Sequence, residues 1–331
     1  MYSAGLTLER AIQGLASEER HPKLKKVLTN VGENIRKGLS LSEALQRHPG
    51  VFSTLFVSLT KAGEVSGNLD EILDELATYL ENLDDVRRKV RSAMTYPVFM
   101  VVFLFAMMSA MFMWIIPMFS DVYVQLGANL PAATRKLVSL SEWISINFST
   151  VVLSLFGVAA GLWLASKTRR GGYIIDSIKL KSPVFGSLLN QSILNKFSKT
   201  AGILLNAGVP VIEAMNLIAK IVSNRVYEVA IGDATEYIRD GFNITSALRR
   251  TEIFPPILLQ LSATGEETGE LDTLLDKAAD YYYKQVNALV ERMTTLIEPI
   301  LILLVGVIIG VMVVITYLPV FYLGAALQSG L

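Results

Sequence analysis

The second half of this chain repeats the order of the first, and that duplication limits the folds open to it. The segments AGLTLERAI (residues 4–12), GLSLSEAL (38–45) and FSTLFVSLTKAGEVSGNLDEIL (52–73) return as AGVPVIEAM (207–215), GFNITSAL (241–248) and FPPILLQLSATGEETGELDTLL (254–275). Gly5 and Gly208, and Gly38 and Gly241, lie 203 positions apart. Gly63 and Gly265, Gly67 and Gly269, and Pro97 and Pro299 lie 202 apart, so one deletion between Leu45 and Phe52 separates the copies. The shift of 202 persists through Pro117 and Pro319. Each copy therefore joins a polar helical part to the apolar segment that follows it.

Three apolar runs, Tyr96–Phe119, Phe148–Ala165 and Ile297–Leu323, account for a mean hydropathy of +0.44. About 20 predominantly apolar residues cross a bilayer as a helix. The first and third runs meet that length. The second is shorter, with Trp163 placed as an interfacial anchor. Arg87, Arg88, Lys89 and Arg91 precede the first run, and Lys167, Arg169 and Arg170 follow the second. The stretch between them holds only Arg135 and Lys136 as cations. Positive charge favours the cytoplasmic side, so residues 1–95 and 166–296 are expected there.

The expected class is an all-α membrane protein with two homologous helical bundles in tandem and three transmembrane helices. Its parts are a first bundle over 1–95, spans over 96–119, 148–165 and 297–323, an external loop or helix over 120–147, a second bundle over 166–296, and an external tail over 324–331. The spacing of Leu69, Ile72, Leu73, Leu76, Leu80 and Leu83 places one apolar face on a helix, repeated by Leu271, Leu274, Leu275, Ala278 and Tyr282. Ser40 followed by Glu43 predicts a capping box. Gly67 before Asn68 predicts a helix stop and a new start. From Asn68 to Tyr96 and from Glu270 to Glu298 there is neither glycine nor proline. The last helix of each bundle is therefore expected to enter the membrane directly, as a rod of roughly 75 Å for about 50 residues.

The residue inventory argues against several chemistries. Formal net charge is +0, so global charge supplies no case for nucleic acid. There is no cysteine, which removes disulfides, thiolate metal sites and thiol catalysis. His21 and His48 are the only histidines, each beside a proline and without a nearby catalytic set. No G-x-x-x-x-G-K-[ST] loop occurs. No catalytic residue, cofactor or metal is expected.

These residues, taken in order, resemble the inner-membrane platform proteins of type II secretion and type IV pilus machines (the GspF/PilC family). The resemblance rests on the AG-[LV]-x-[LV] start, the G-x-[SN]-[LI]-[ST]-x-AL box and the GE-x-[ST]-G-x-LD motif. It also rests on Tyr96–Pro97 and Glu298–Pro299 opening the outgoing spans, on P-x-F closing them, and on Leu130, Pro131 and Thr134 in the external loop. It implies a non-enzymatic platform in the bacterial inner membrane that couples a cytoplasmic assembly ATPase to pilin or pseudopilin extraction. The implied partners are that ATPase, the pilin subunits, other inner-membrane assembly proteins and further copies of the chain, with no nucleic acid. An oligomeric transporter or channel subunit is the alternative, against which stand the few polar residues in the apolar runs and the parallel repeat.

The candidate residues each carry two readings. Glu64 and Glu266 are contacts for the ATPase or a cation, or else acceptors for nearby backbone donors. Gly63 and Gly265 then serve close helix approach, and Gly67 and Gly269 serve positive φ at a helix end. Glu298, at the mouth of the third span, is a contact for pilin or a second platform subunit, or else an interfacial glutamate in water. Pro97, Pro117, Pro299 and Pro319 bracket the outgoing spans as angle-setting or hinge residues. Tyr281, Tyr282 and Tyr283 are expected to serve core and interface. The run SILNKFSKTAGIL, ahead of the second copy, has no counterpart before Met1. The first bundle is therefore expected to be less stable and to expose apolar surface.

Overall fold

The structure, a computed structural model, describes residues 4–115, 117–118, 132–183 and 185–328. Every regular element among them is helical. The first copy supplies α1 (Leu8–Glu18), α2 (Pro22–Arg36), α3 (Leu41–Gln46), α4 (Thr54–Ser66) and α5 (Leu69–Ala110). Then come α6 (Ala132–Lys167), α7 (Arg169–Lys181) and α8 (Phe185–Asn206). The second copy supplies α9 (Val211–Ile221), α10 (Arg225–Arg239), α11 (Ile244–Arg250), α12 (Pro256–Thr268) and α13 (Leu271–Gln328). Helices α1 and α2 reappear as α9 and α10 with both ends moved by 203 residues, and α4 reappears as α12 moved by 202.

Local chemistry explains these boundaries. The Ser40 hydroxyl accepts from Glu43 N at 3.2 Å, and Ser40 N donates to Glu43 Oε2 at 3.0 Å, completing the capping box. Asn243 takes the same place in the second copy, its side chain accepting from Ser246 N at 3.0 Å. Gly67 and Gly269 end α4 and α12 at φ of 82° and 78°, a conformation that costs other residues a Cβ clash. In each copy the next helix begins two residues later.

The helices cluster into two compact units. One comprises the chain up to Arg87 together with Gly172–Ala288; the other comprises Arg88–Gly171 and the chain from Leu289 onward. Both copies of the polar helices thus belong to one unit. Its main core includes Phe197, Leu204, Ile231, Leu248 and Tyr282 from the second half, together with Leu59, Leu76 and Tyr79 from the first. A smaller core of Val31, Leu41, Ala44, Leu45 and Leu69 belongs to the first copy alone. The copies differ beside α8. Asn195 Nδ2 on α8 donates to Ala279 O at 2.8 Å, and Gly202 brings α8 against the α13 backbone. Ile218 and Tyr282 are each 1% exposed, whereas their counterparts Leu15 and Leu80 are 46% and 43% exposed. Residues 4–7 precede α1, so no described helix occupies the place of α8 in the first copy.

In the other unit, Leu104 and Met111 are buried while Phe99, Phe105, Trp114, Ile302 and Leu303 are exposed. Two helices among the described residues are long and apolar enough to cross a membrane, within Leu69–Trp114 and Leu271–Gly310. Pro97 lies inside α5, and Pro299 and Pro319 lie inside α13. Each removes one N–H from the ladder without ending the helix. A π-helical turn, Met111–Ile115, stands just ahead of Pro117, where the missing N–H interrupts regular α pairing. Helix α6 takes in residues 132–147 of the expected external segment and the second apolar run. Leu130 and Pro131 lie outside the described residues, and Thr134 falls in α6. Helix α13 continues to Gln328, past the expected start of the tail at 324, and the last three residues of that tail lie outside the described ones.

Candidate functional site

The GE-x-[ST]-G motif builds the same corner twice. The turn at Gly67 folds α5 back over α4, so a Cβ on Gly63 would meet Leu69 Cα at 3.0 Å. In the second copy a Cβ on Gly265 would meet Leu271 Cα at 2.7 Å. No side chain fits either contact without backbone movement. The next residue reaches a different helix. Glu64 Oε1 accepts from Leu41 N at 2.5 Å and Oε2 from Ser42 N at 3.2 Å, while the Ser42 hydroxyl donates to Oε2 at 2.5 Å. Glu266 repeats this: Oε1 accepts from Ile244 N at 2.5 Å and Oε2 from Thr245 N at 3.1 Å.

These donors are the first backbone N–H groups of α3 and α11, which have no partner within their own helix. A carboxylate there satisfies two of them through charge-assisted bonds and complements the positive end of the helix dipole. Both oxygens of Glu64 and of Glu266 are engaged within their own copy, and the two residues line separate cavities. Among the described residues no group of three or more His, Asp or Glu side chains is placed to hold a metal ion. The geometry matches the backbone-acceptor reading of the glutamates.

A second polar cluster was not singled out by sequence. Lys199 on α8 lies 3.5 Å from Glu75 on α5 and forms an ion pair with Asp276 on α13. Burial alone would lower the Lys199 pKa; the hydrogen bond and charge of Asp276, with the charge of Glu75, outweigh it and hold the ammonium above its ordinary value. Burial pushes the Glu75 carboxyl up against the pull of Lys199, and the charge of Asp276 pushes it further. The triad is thus uneven, with Asp276 the stronger partner. It spans residues 124 and 77 positions apart, so no local motif announces it. Beside it, Tyr283 donates to Asp85 Oδ2 at 3.0 Å. Tyr282 is buried in the core, and Tyr281 is partly exposed with its ring edge-on to that of Tyr282.

Glu298 is exposed on α13, with Pro299 exposed beside it. His48 faces Asn30, Nε2 to Oδ1 at 2.9 Å, and His21 is exposed. The described residues therefore define a helical protein with two membrane-length apolar helices and a twice-built helix-capping corner. A family model for the type II secretion system protein F matches residues 1–117 and again 197–319. The chain belongs to this family. It is 35% identical to the type IV pilus assembly protein PilC of Myxococcus xanthus over 99% of this chain and 79% of that protein. It is 39% identical to PilC of Thermus thermophilus over 97% of this chain and 79% of the relative. To the type II secretion system protein F of Aeromonas hydrophila it is 33% identical over 91% of this chain and 78% of that protein.

Proposed function

We propose that the chain is a non-enzymatic inner-membrane platform that couples a cytoplasmic assembly ATPase to extraction and assembly of pilin or pseudopilin subunits. Family membership and relatives named for pilus assembly and type II secretion support a platform role in such machines. The observation that carries the coupling is the pair of unbroken helices: α5 and α13 each begin at a GE-x-[ST]-G corner and continue into an apolar segment of membrane length. A helix is stiff along its axis, so displacement at the corner is passed along it. In this topology α6 returns the chain through the membrane between the two outgoing helices, the copies at 1–95 and 166–296 are cytoplasmic, and several chains assemble together. Glu298, exposed where α13 becomes apolar, contacts a pilin or a second platform subunit near the cytoplasmic leaflet.

The full chain in lipid nanodiscs, mixed with a cognate assembly ATPase, is expected to bind it and change its hydrolysis rate. Binding without a rate change would overturn the coupling, and absence of binding would overturn the partnership. Glu298→Gln is expected to leave ATPase binding intact while lowering subunit extraction in cells. Unchanged extraction would return Glu298 to an interfacial role.

A further inference from the structure

Helix α7 keeps its acidic residue inside and its isoleucines outside. The Asp176 side chain is only 15% exposed: Oδ2 accepts from Arg225 N, at the start of α10, at 3.1 Å, and Oδ1 pairs with Lys179 at 2.9 Å. Gly172 and Leu180 share that inward side, Gly172 buried and Leu180 packed against the main core. At 3.6 residues per turn, Ile174 and Ile178 fall on the opposite side of the helix. They are 58% and 64% exposed, and Tyr173 beside them is also exposed. A helix that packed only through its bundle would carry the reverse arrangement.

Cations frame the exposed stripe. Arg170, Ile174, Ile178 and Lys181 follow one another at helical spacing, so an exposed basic residue closes each end of it. With Arg169 and Lys179 the helix carries four cations against one acidic residue, Asp176, whose two oxygens are already engaged. Arg169 and Arg170 stand in the first turn, at the positive end of the helix dipole, where cations are unfavourable unless an outside anion offsets them. Apolar side chains bordered by cations match a helix lying at the depth of lipid headgroups. The chain also reaches α7 directly from α6, with only Thr168 between them. At that end of α6 the Lys167 ammonium lies 3.7 Å from the centre of the Trp163 ring, a pair suited to the headgroup layer.

We propose that the outward face of α7 lies on the anionic surface of the membrane, with Ile174 and Ile178 below the phosphates and Arg170 and Lys181 against them. Neither the short apolar stripe nor the few cations would hold a helix there alone; together they supply two signals. Through Asp176 the same helix holds the start of α10, so α7 anchors the second copy at the bilayer surface. The proposal rests on the reading above that α6 crosses the membrane, and its test separates the two.

The chain has no cysteine, so a thiol-reactive fluorophore reads one position at a time. Ile178→Cys on α7, Phe156→Cys in the apolar run of α6 and Glu236→Cys on α10 place it at three exposed positions of the full chain. The labelled chains are put into nanodiscs of phosphatidylglycerol and phosphatidylcholine, with lipids spin-labelled at shallow or deep acyl positions. The shallow label is expected to quench the Ile178 probe, the deep label the Phe156 probe, and neither the Glu236 probe. In discs of phosphatidylcholine alone, quenching at Ile178 is expected to fall about two- to fivefold while that at Phe156 stays the same. Arg170→Gln with Lys181→Gln is expected to produce the same fall in the anionic discs. Quenching at Phe156 without quenching at Ile178 would overturn the proposal and leave α6 in the membrane. A blue-shifted but unquenched Ile178 probe would show that protein covers the face, which also overturns it. Equal quenching at Ile178 in both lipids would remove the anionic surface as the partner. Quenching at neither position would withdraw the crossing of α6 and the proposal with it.

Discussion

Gly265→Ala is expected to lower the stability of the full chain by about 3 kcal/mol, seen as a fall of roughly 5–10 °C in its thermal midpoint in detergent. The new methyl would meet Leu271 Cα at 2.7 Å, and Leu271 N lies only 3.2 Å from the same point. Backbone cannot rotate aside as a side-chain tip can. The start of α13 would have to move, and Leu275, Ala278 and Tyr282 in the core lie on that helix. Gly63→Ala supplies the comparison within the same molecule. There the nearest atom is Leu69 Cα at 3.0 Å, followed by the movable Ile72 Cδ1 and Leu69 Cδ1 at 3.3 Å. Its expected cost is about half as large. Equal midpoints for wild type and Gly265→Ala would show that close helix approach is not what this glycine serves.

Glu266→Ala is expected to cost about 2–4 kcal/mol in the same measurement, because it leaves Ile244 N and Thr245 N partly buried without their acceptor. Glu266→Gln retains one amide oxygen and loses the charge that complements the helix dipole. Its expected cost is about 1–2 kcal/mol. The glutamate's alternative role as a contact for the ATPase or a cation makes the opposite forecast, with stability unchanged and partner binding lost. A normal midpoint in Glu266→Ala would therefore reject the capping account. Glu64→Ala is expected to behave similarly, with the Ser42 hydroxyl as a further donor left behind.

How much of this was legible beforehand depends on the sequence distance each interaction spans. The capping box at Ser40 and Glu43 closes over three residues, and its pattern is present in the sequence itself. The left-handed turns at Gly67 and Gly269 are equally local. The partners of Glu64 and Glu266 were not legible, because the accepting carboxylate and the donating helix start lie some 22 residues apart. The GE spacing marked a site but did not say what the site touches. The sequence places Pro97 and Pro299 at the openings of the outgoing spans, where a proline sets an angle. Inside α5 and α13 the helix continues past it, and in an apolar surrounding the alternatives to continuing leave more backbone polar groups unsatisfied than the one proline removes.

The sequence by itself determined the duplication, the helical class, the helix starts and stops, and the apolar segments long enough for a membrane. All of these follow from short-range rules: side-chain period, capping chemistry and the conformational freedom of glycine. Only the tertiary structure decided that the two copies share one core and that Lys199 lies between Glu75 and Asp276. Those outcomes depend on which of two similar faces packs against α8. Two copies of one pattern present the same local signals, and packing in three dimensions breaks the tie.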